Sequence, residues 1–547
     1  MVPSLSAGLG YIALPLLSLS QLALAQSSLS LSPATTAPDS ASEYLDASFS
    51  GFGIEPSNLF SFTGNENPNM LSVKLLQNLA DYSGAPPHIR LGGNTQDYML
   101  YDPEYTNIGW KKNPSSTAQG NIAADSMIIG PGYFEALNRF PKDTPVTYGL
   151  NLAYMEDDWE ERIVTAAQAA VSGMTNVKLY SFEVGNEPDL WLQNTFRTAP
   201  WSGKEYTEQF LDRAEAVYTR VLQPAGLPSS FFESPATAST IGTTFEITQL
   251  VSDGMMEGRN GDNYVTFAYW EKQVKIGLKT GLPYVLREMS SIGPIGMPGV
   301  SDAFGASLWT LNFLLYAASL DISSVQMHMT DNSNASAWQP IEMYGRAPFV
   351  RTLYYAHAAM AQIVGNGNGT TQIASMSTSN VGAAYDGRIR AYSMYAHDNL
   401  QSVIMLNGKQ ANESQSDKAS FTFNVNFGSS NANKEVYLSY LTADGADSQT
   451  GATWNGMTYS DTTGESSVVD DTIHTITLDS SGKAAIPVRD SQAVVANIGW
   501  QIGSTAVLKS DGSTARKSNA GPRNSPTTFT AVCAMIATTF ALLAFSA

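Results

Sequence analysis

Cysteine is nearly absent from this chain: 547 residues contain one, Cys533, close to the C-terminus. A disulfide framework is excluded, so the fold has to come from burial, which a domain of several hundred residues can supply. Histidine is scarce as well. The five are His88, His328, His357, His397 and His474, and none forms a ligand-spaced pair such as His-x-x-x-His. No metal site is expected, and nucleophilic Ser–His chemistry is disfavoured. Charge is low at 14% and unbalanced, with 30 Lys and Arg against 49 Asp and Glu, for a net charge of −19. No basic patch stands out, so nucleic acid is not an expected partner. No glycine-rich phosphate cradle opens a helix, Gly92-Gly93 being too short, and no cofactor is expected.

The most apolar, uncharged stretches stand at the two ends. Residues 1–25 carry no charge, are rich in Leu and Ala, and end in Ala23-Leu24-Ala25. That pattern predicts a signal peptide with the mature chain starting near Gln26. At the other end, Phe529 to Ala547 is uncharged and mostly apolar, preceded by a polar spacer and by Ser518, Asn519, Ala520 and Gly521. This order predicts a GPI-attachment signal at 520–547, with Ser518 or Asn519 as the attachment residue. Sequons at Asn334, Asn368 and Asn412 agree with a secretory route. The expected location is the outer face of the plasma membrane or the cell wall, with membrane contact through a lipid anchor only.

Residues 26–519 are too many for one ordinary domain. Within 46–365, apolar spacing near 3.6 predicts helices over Leu71–Tyr82, Glu160–Gly173, Thr207–Leu222 and Phe304–Leu320. Eight short apolar runs alternate with such patterns: Phe49–Ile54, His88–Leu91, Val146–Leu150, Tyr180–Val184, Phe231–Ser234, Tyr264–Tyr269, Tyr284–Leu286 and Ser324–His328. The fold class expected is α/β, a (β/α)8 TIM barrel. Past Gly369 the pattern turns to short alternating strands with Gly, Asn, Asp and Ser turns, which predicts an all-β sandwich over 366–503. Ser28–Ser32, within the segment 26–45, also alternates and is a candidate extra strand of that sandwich. Residues 504–519 read as an extended stalk.

The most informative segment is Leu179 to Trp191. An aromatic-rich strand pattern ends abruptly in Asn186-Glu187-Pro188, and proline cannot donate to a sheet ladder. A carboxyl group and an amide are left at the C-terminal end of a barrel strand, where catalytic groups sit. Glu288 has a similar context, after Tyr284-Val285-Leu286-Arg287. These two ends belong to the fourth and seventh runs. Across a barrel mouth they are suited to the roughly 5–5.5 Å carboxyl spacing of a retaining glycosidase, provided their environments push the two pKa values apart. A helix cap or a solvated surface group is the bland alternative for either residue. Asn186, Pro188 and the flanking aromatics speak against it for Glu187.

Gly185-Asn186-Glu187-Pro188 is similar to the acid/base motif of clan A glycoside hydrolases. Ile89–Asp97, Tyr148–Asn151, Arg287–Ser291 and Pro298–Trp309 resemble glycoside hydrolase family 79, which contains β-glucuronidases and heparanases. The resemblance runs from about Ser50 to Gly365, and the β-domain is of the sort that accompanies the family. It implies Glu187 as general acid/base, Glu288 as nucleophile, Asn186 on the sugar 2-hydroxyl, and Tyr269 on the nucleophile. Glu55 and Asn94, at the ends of the first two runs, are candidate sugar ligands, as is His328 at the end of the eighth. Arg90 either holds the nucleophile's charge or is a purely structural inward arginine. The family typically grips the uronate carboxylate with backbone amides and tyrosine hydroxyls. Here the loop Ile292-Gly293-Pro294-Ile295-Gly296 offers no tyrosine, and Trp338 stands where one is expected, with Tyr344 as a possible substitute. The expected function is a retaining, exo-acting β-glucuronidase on extracellular or cell-wall glycans. A neutral-sugar β-glycosidase or a cell-wall transglycosylase at the same carboxylates is the alternative. A non-catalytic surface glycan-binding protein is a third.

Overall fold

The structure, a computed structural model, describes residues 27–116, 123–234, 236–238, 283–293 and 295–503. It also describes Thr244, Phe245, Val274 and Leu278, and the backbone of 506–508 and 514–516. The run Tyr264–Tyr269, the candidate Tyr269, residues 1–26 and the attachment candidates Ser518 and Asn519 lie outside the described residues.

Seven parallel strands form one curled sheet in the order Tyr284–Met289, Ile322–Met329, Ser50–Ile54, Ile89–Leu91, Pro145–Leu150, Lys178–Val184, Phe232–Glu233. That order is the chain order taken as a cycle, with the last strand returning to pair with the first: Val325 stands opposite Ser50, and Met329 opposite Ile54. This is the strand cycle of a (β/α)8 barrel. Helices cover the outside. Met70–Ser83 starts at Asn69, whose side chain accepts the Ser72 N–H, and stops at Gly84 with φ +101°. Trp159–Gly173, Gly203–Val217 and Phe304–Ser319 match the periodic segments closely. A further helix, Thr352–Asn366, is buried along its whole length.

The β-domain explains that burial. A three-stranded sheet pairs Ser28–Leu31, in parallel, with Ser420–Asn426 and then Lys483–Arg489. It packs over a larger sheet built around Ile389–Ala396, Asn399–Asn407, Gln492–Ile498 and Glu435–Thr442. Phe421, Phe423, Ile486 and Val488 meet Val403, Met405, Val494 and Val436 in this inner layer. The opposite face of the large sheet, with Tyr392, Met394, Ile404 and Val495, packs into the barrel's own core. Polar pairs stitch the two parts. The Trp454 indole donates to Gln362 at 2.7 Å, Trp500 to Asn366 at 2.9 Å, and the Tyr392 hydroxyl to Asn312 at 2.8 Å. The first amides of Phe304–Ser319 donate to the carbonyls of Ser448 and Ala446. The expected stalk differs in part from a single extended segment. Ala506–Leu508 pairs antiparallel with Thr514–Arg516.

Candidate active site

Strand ends bring the polar groups together at one mouth of the curled sheet. Arg90, on Ile89–Leu91, is 2% exposed and points inward. Its guanidinium donates to three groups. Nε and Nη2 grip Glu183 at 3.1 and 2.5 Å, Nη1 meets Glu288 at 2.5 Å, and Nη2 also reaches the Asn186 side-chain oxygen at 2.7 Å. A planar fork suits this multiple carboxylate contact. His328, at the end of Ile322–Met329, places Nδ1 3.3 Å from the other oxygen of Glu288. Below this layer, Arg287 pairs with Glu233, which also accepts from Ser181 at 2.6 Å. The barrel interior thus carries two stacked ion-pair layers instead of an apolar filling.

The two candidate carboxylates are driven apart. Burial alone would raise Glu288, but the Arg90 charge and then His328 outweigh it, and its pKa is lowered below the usual carboxylate value. Among the described residues, Glu187 has no comparable cation. Burial, then the negative charge of Glu288, push it up to about 8. Near neutral pH one carboxyl is ionised and the other protonated, the pairing that acid/base chemistry on two carboxylates needs.

Glu187 sits in the left-handed region, with φ 46° and ψ 49°. For a non-glycine residue this costs about 1 kcal/mol or more, so the surroundings must enforce it. Its N–H donates to the Ala236 carbonyl at 2.7 Å, and the N–H of Asn186 donates to Asp97 at 2.7 Å. Asp97 is buried and also accepts the N–H groups of Leu152 and Ala153, so one carboxylate ties the rims of three successive strands. Burial raises Asp97 to about 7 against the lowering effect of these three amides. Glu55 is likewise buried. It accepts from the Asn94 and Thr95 amides at 2.9 and 3.1 Å and from the Thr95 hydroxyl at 2.7 Å. Glycine is required at Gly93, where φ is +129° and a Cβ would lie 2.2 Å from Glu55.

Among the sequence-derived candidates, Glu187, Glu288, Asn186, Asn94, Glu55 and His328 therefore cluster, with Asn186 donating to Asn94 at 3.3 Å. Trp338 does not belong there. Its ring is fully buried edge-on against Phe52 and Phe62, and its indole N–H is taken by Ser72 at 2.8 Å, so no sugar can reach it. Tyr344 stands at the tip of a tight turn, φ 55° and 78% exposed, with no described residue holding it at the carboxylates. On the loop after Glu288, the buried Ser291 hydroxyl has no hydrogen-bond partner among the described residues. Of the sequons, Asn368 is exposed, while Asn334 and Asn412 are half-buried. Glu183, Asp97, Trp191 and Trp201 escaped the sequence reading as members of the site. The signal for Glu183 was a lone acid inside a buried strand, which is tolerated only when paired.

A parallel barrel with two carboxyls of opposed titration at its mouth is the arrangement on which glycoside hydrolases work. Residues 391–495 match the glycosyl hydrolase family 79 C-terminal beta domain. The chain is 29% identical to the β-glucuronidase of Aspergillus niger over 485 residues, covering 79% of this chain and 87% of that protein. It is 26% identical to the β-glucuronidase of Neurospora crassa over 476 residues, covering 75% and 84%. Among solved structures, a 4-O-α-L-rhamnosyl-β-D-glucuronidase from Fusarium oxysporum superposes with a TM-score of 0.67 at 20% identity, covering 86% of this chain and 100% of that one. An α-L-arabinofuranosidase from Thermotoga maritima gives a TM-score of 0.53 at 10% identity, covering 85% and 98%. The chain is a glycoside hydrolase that resembles family 79 through its C-terminal domain and these relatives.

The Arg90 fork makes a direct prediction. Arg90→Gln removes the cation shared by Glu183 and Glu288, so stability should fall by about 3–5 kcal/mol, as for other broken buried pairs. The pKa of Glu288 should rise, so activity should be lost at a higher pH as acid is added. Thermal melting and the acid limb of kcat/KM measure the two effects.

Proposed function

We propose that this enzyme is a retaining, exo-acting β-glucuronidase working by double displacement, with Glu288 as nucleophile and Glu187 as acid/base. The observation that carries this reading is the opposed titration of the two residues: Glu288 lowered by Arg90 against its burial, Glu187 raised to about 8 by burial and by Glu288. In the first step the Glu288 carboxylate attacks the anomeric carbon while Glu187 protonates the leaving oxygen. In the second, Glu187 takes a proton from water, which attacks the glycosyl ester. Asn186, held on Arg90, presents its amide to the sugar. Likeness to the two fungal β-glucuronidases over most of the chain supports the glucuronide. We further propose that the protein acts outside the cell on a lipid anchor, from the composition of residues 1–25 and 510–547.

Glu187→Gln and Glu288→Gln should each lower kcat on an aryl β-glucuronide by a factor of about 10²–10⁴ or more. Near-wild-type turnover in either sinks the assignment. A raised acid is protonated below its pKa, so kcat/KM should be lost as pH rises through about 8, the value for Glu187. It should also be lost on the acid side, below the usual carboxylate value, where Glu288 gains a proton. Cleavage of an aryl xyloside or glucoside in preference to the glucuronide would instead favour a neutral-sugar enzyme. For the anchor, phosphatidylinositol-specific phospholipase C should release the protein from intact cells, and full retention after treatment contradicts the anchor.

A further inference from the structure

The turn that carries Glu187 is held from behind by two tryptophans. The Trp191 indole donates to the carbonyl of Asn186 at 3.0 Å, and the Trp201 indole donates to the carbonyl of Pro188 at 2.8 Å. These carbonyls belong to the residues immediately before and after Glu187. The two rings stack in parallel, 5.5 Å between centroids and 10° between planes, and are 0% and 5% exposed. Arg197 lies against both, 4.8 and 5.3 Å from the ring centroids, and donates to the carbonyls of Ala153 and Leu152. The amides of those same two residues are the ones that Asp97 holds together with Asn186. The strained residue is therefore fixed through both flanking residues by donors that a sugar cannot reach.

We infer that Trp191 and Trp201 are positioning residues for the acid/base. Their indole N–H groups clamp the carbonyls on either side of Glu187 and hold its carboxyl where the leaving oxygen will be. The inference rests on the reading of Glu187 as the proton donor. It makes the two indole N–H groups, not only the apolar rings, part of the catalytic apparatus. Losing the Trp191 indole N–H leaves the Asn186 carbonyl without that donor, and losing the Trp201 N–H leaves the Pro188 carbonyl only the longer bond from the Trp191 backbone N–H at 3.3 Å, so either loss lets the turn relax from the left-handed conformation. A displacement near 1 Å can cost a factor of about 100 in rate.

Leaving-group dependence separates this role from a merely structural one. A phenol or alcohol of high pKa needs protonation as it departs, whereas 2,4-dinitrophenolate departs without it. Trp201→Phe, which keeps the ring and removes the N–H, should lower kcat/KM for phenyl β-glucuronide by about 100-fold and for the dinitrophenyl substrate by at most about threefold. Trp191→Phe is the second variant should Trp201→Phe fail to fold, and thermal melting reports the fold of each. A loss of equal size on both substrates, or no loss, overturns the inference. Glu187→Gln is the reference: it should show the same selectivity in stronger form. If Glu187→Gln itself shows none, the proton-donor reading fails; if Glu187→Gln shows it and the tryptophan variants do not, only the clamp fails.

Discussion

One guanidinium organises the barrel mouth. Arg90 is buried and serves two carboxylates and an amide, from two different strands, through a single rigid fork. Isolating such a cation from water is tolerable only because the acids are in place, and each acid is tolerable only because of the cation. The division of that charge matters for the proposed chemistry. Glu183 is raised by burial against the pull of Arg90, while Glu288 is lowered. When Glu288 forms an ester in the proposed intermediate and loses its charge, Arg90 still has the Glu183 carboxylate. The covalent state leaves no orphaned cation in the barrel.

Glu187 depends on the opposite condition: among the described residues no cation touches it, and burial and neighbouring acids dominate its surroundings. That isolation needs a backbone held in place without a salt bridge, and the left-handed turn is held by amide, carboxylate and indole hydrogen bonds instead. The β-domain contributes at one remove. It buries the helices Phe304–Ser319 and Thr352–Asn366; the first backs the strand Ile322–Met329 that carries His328 toward Glu288, and the second backs the neighbouring strand Ser50–Ile54. A barrel with an ionic interior lacks part of the usual apolar filling, and the sheet pressed against its outer helices supplies further burial.

Much of this was legible in the sequence because it is local. Helix periods, the Asn-Glu-Pro strand end and the turn-rich β segment each declare themselves within about fifteen residues, and strand order then paired Glu187 with Glu288. What escaped depends on contacts between distant segments. Trp338 falls at a plausible position along the chain, yet its ring turns inward against Phe52 and Phe62, and sequence spacing does not set that direction. Thr352–Asn366 shows no polar face because the barrel and the β-domain cover it from both sides, so periodicity was silent. Strand Asn399–Asn407 is buried on both faces for the same reason. Glu183 and Asp97 read as ordinary acids until their partners, Arg90 and three rim amides, are seen together.

The central claim is that the Arg90-held carboxylate is the one that attacks the sugar. A 2-deoxy-2-fluoro-β-glucuronyl substrate with a good leaving group forms the glycosyl ester faster than water can cleave it. Peptide mass spectrometry of the inactivated enzyme then reads the labelled residue. The account predicts a single fluoroglycosyl adduct on Glu288, with Glu187 unmodified. An adduct on Glu187 or on another carboxylate, or turnover of such a substrate with no adduct at all, contradicts it.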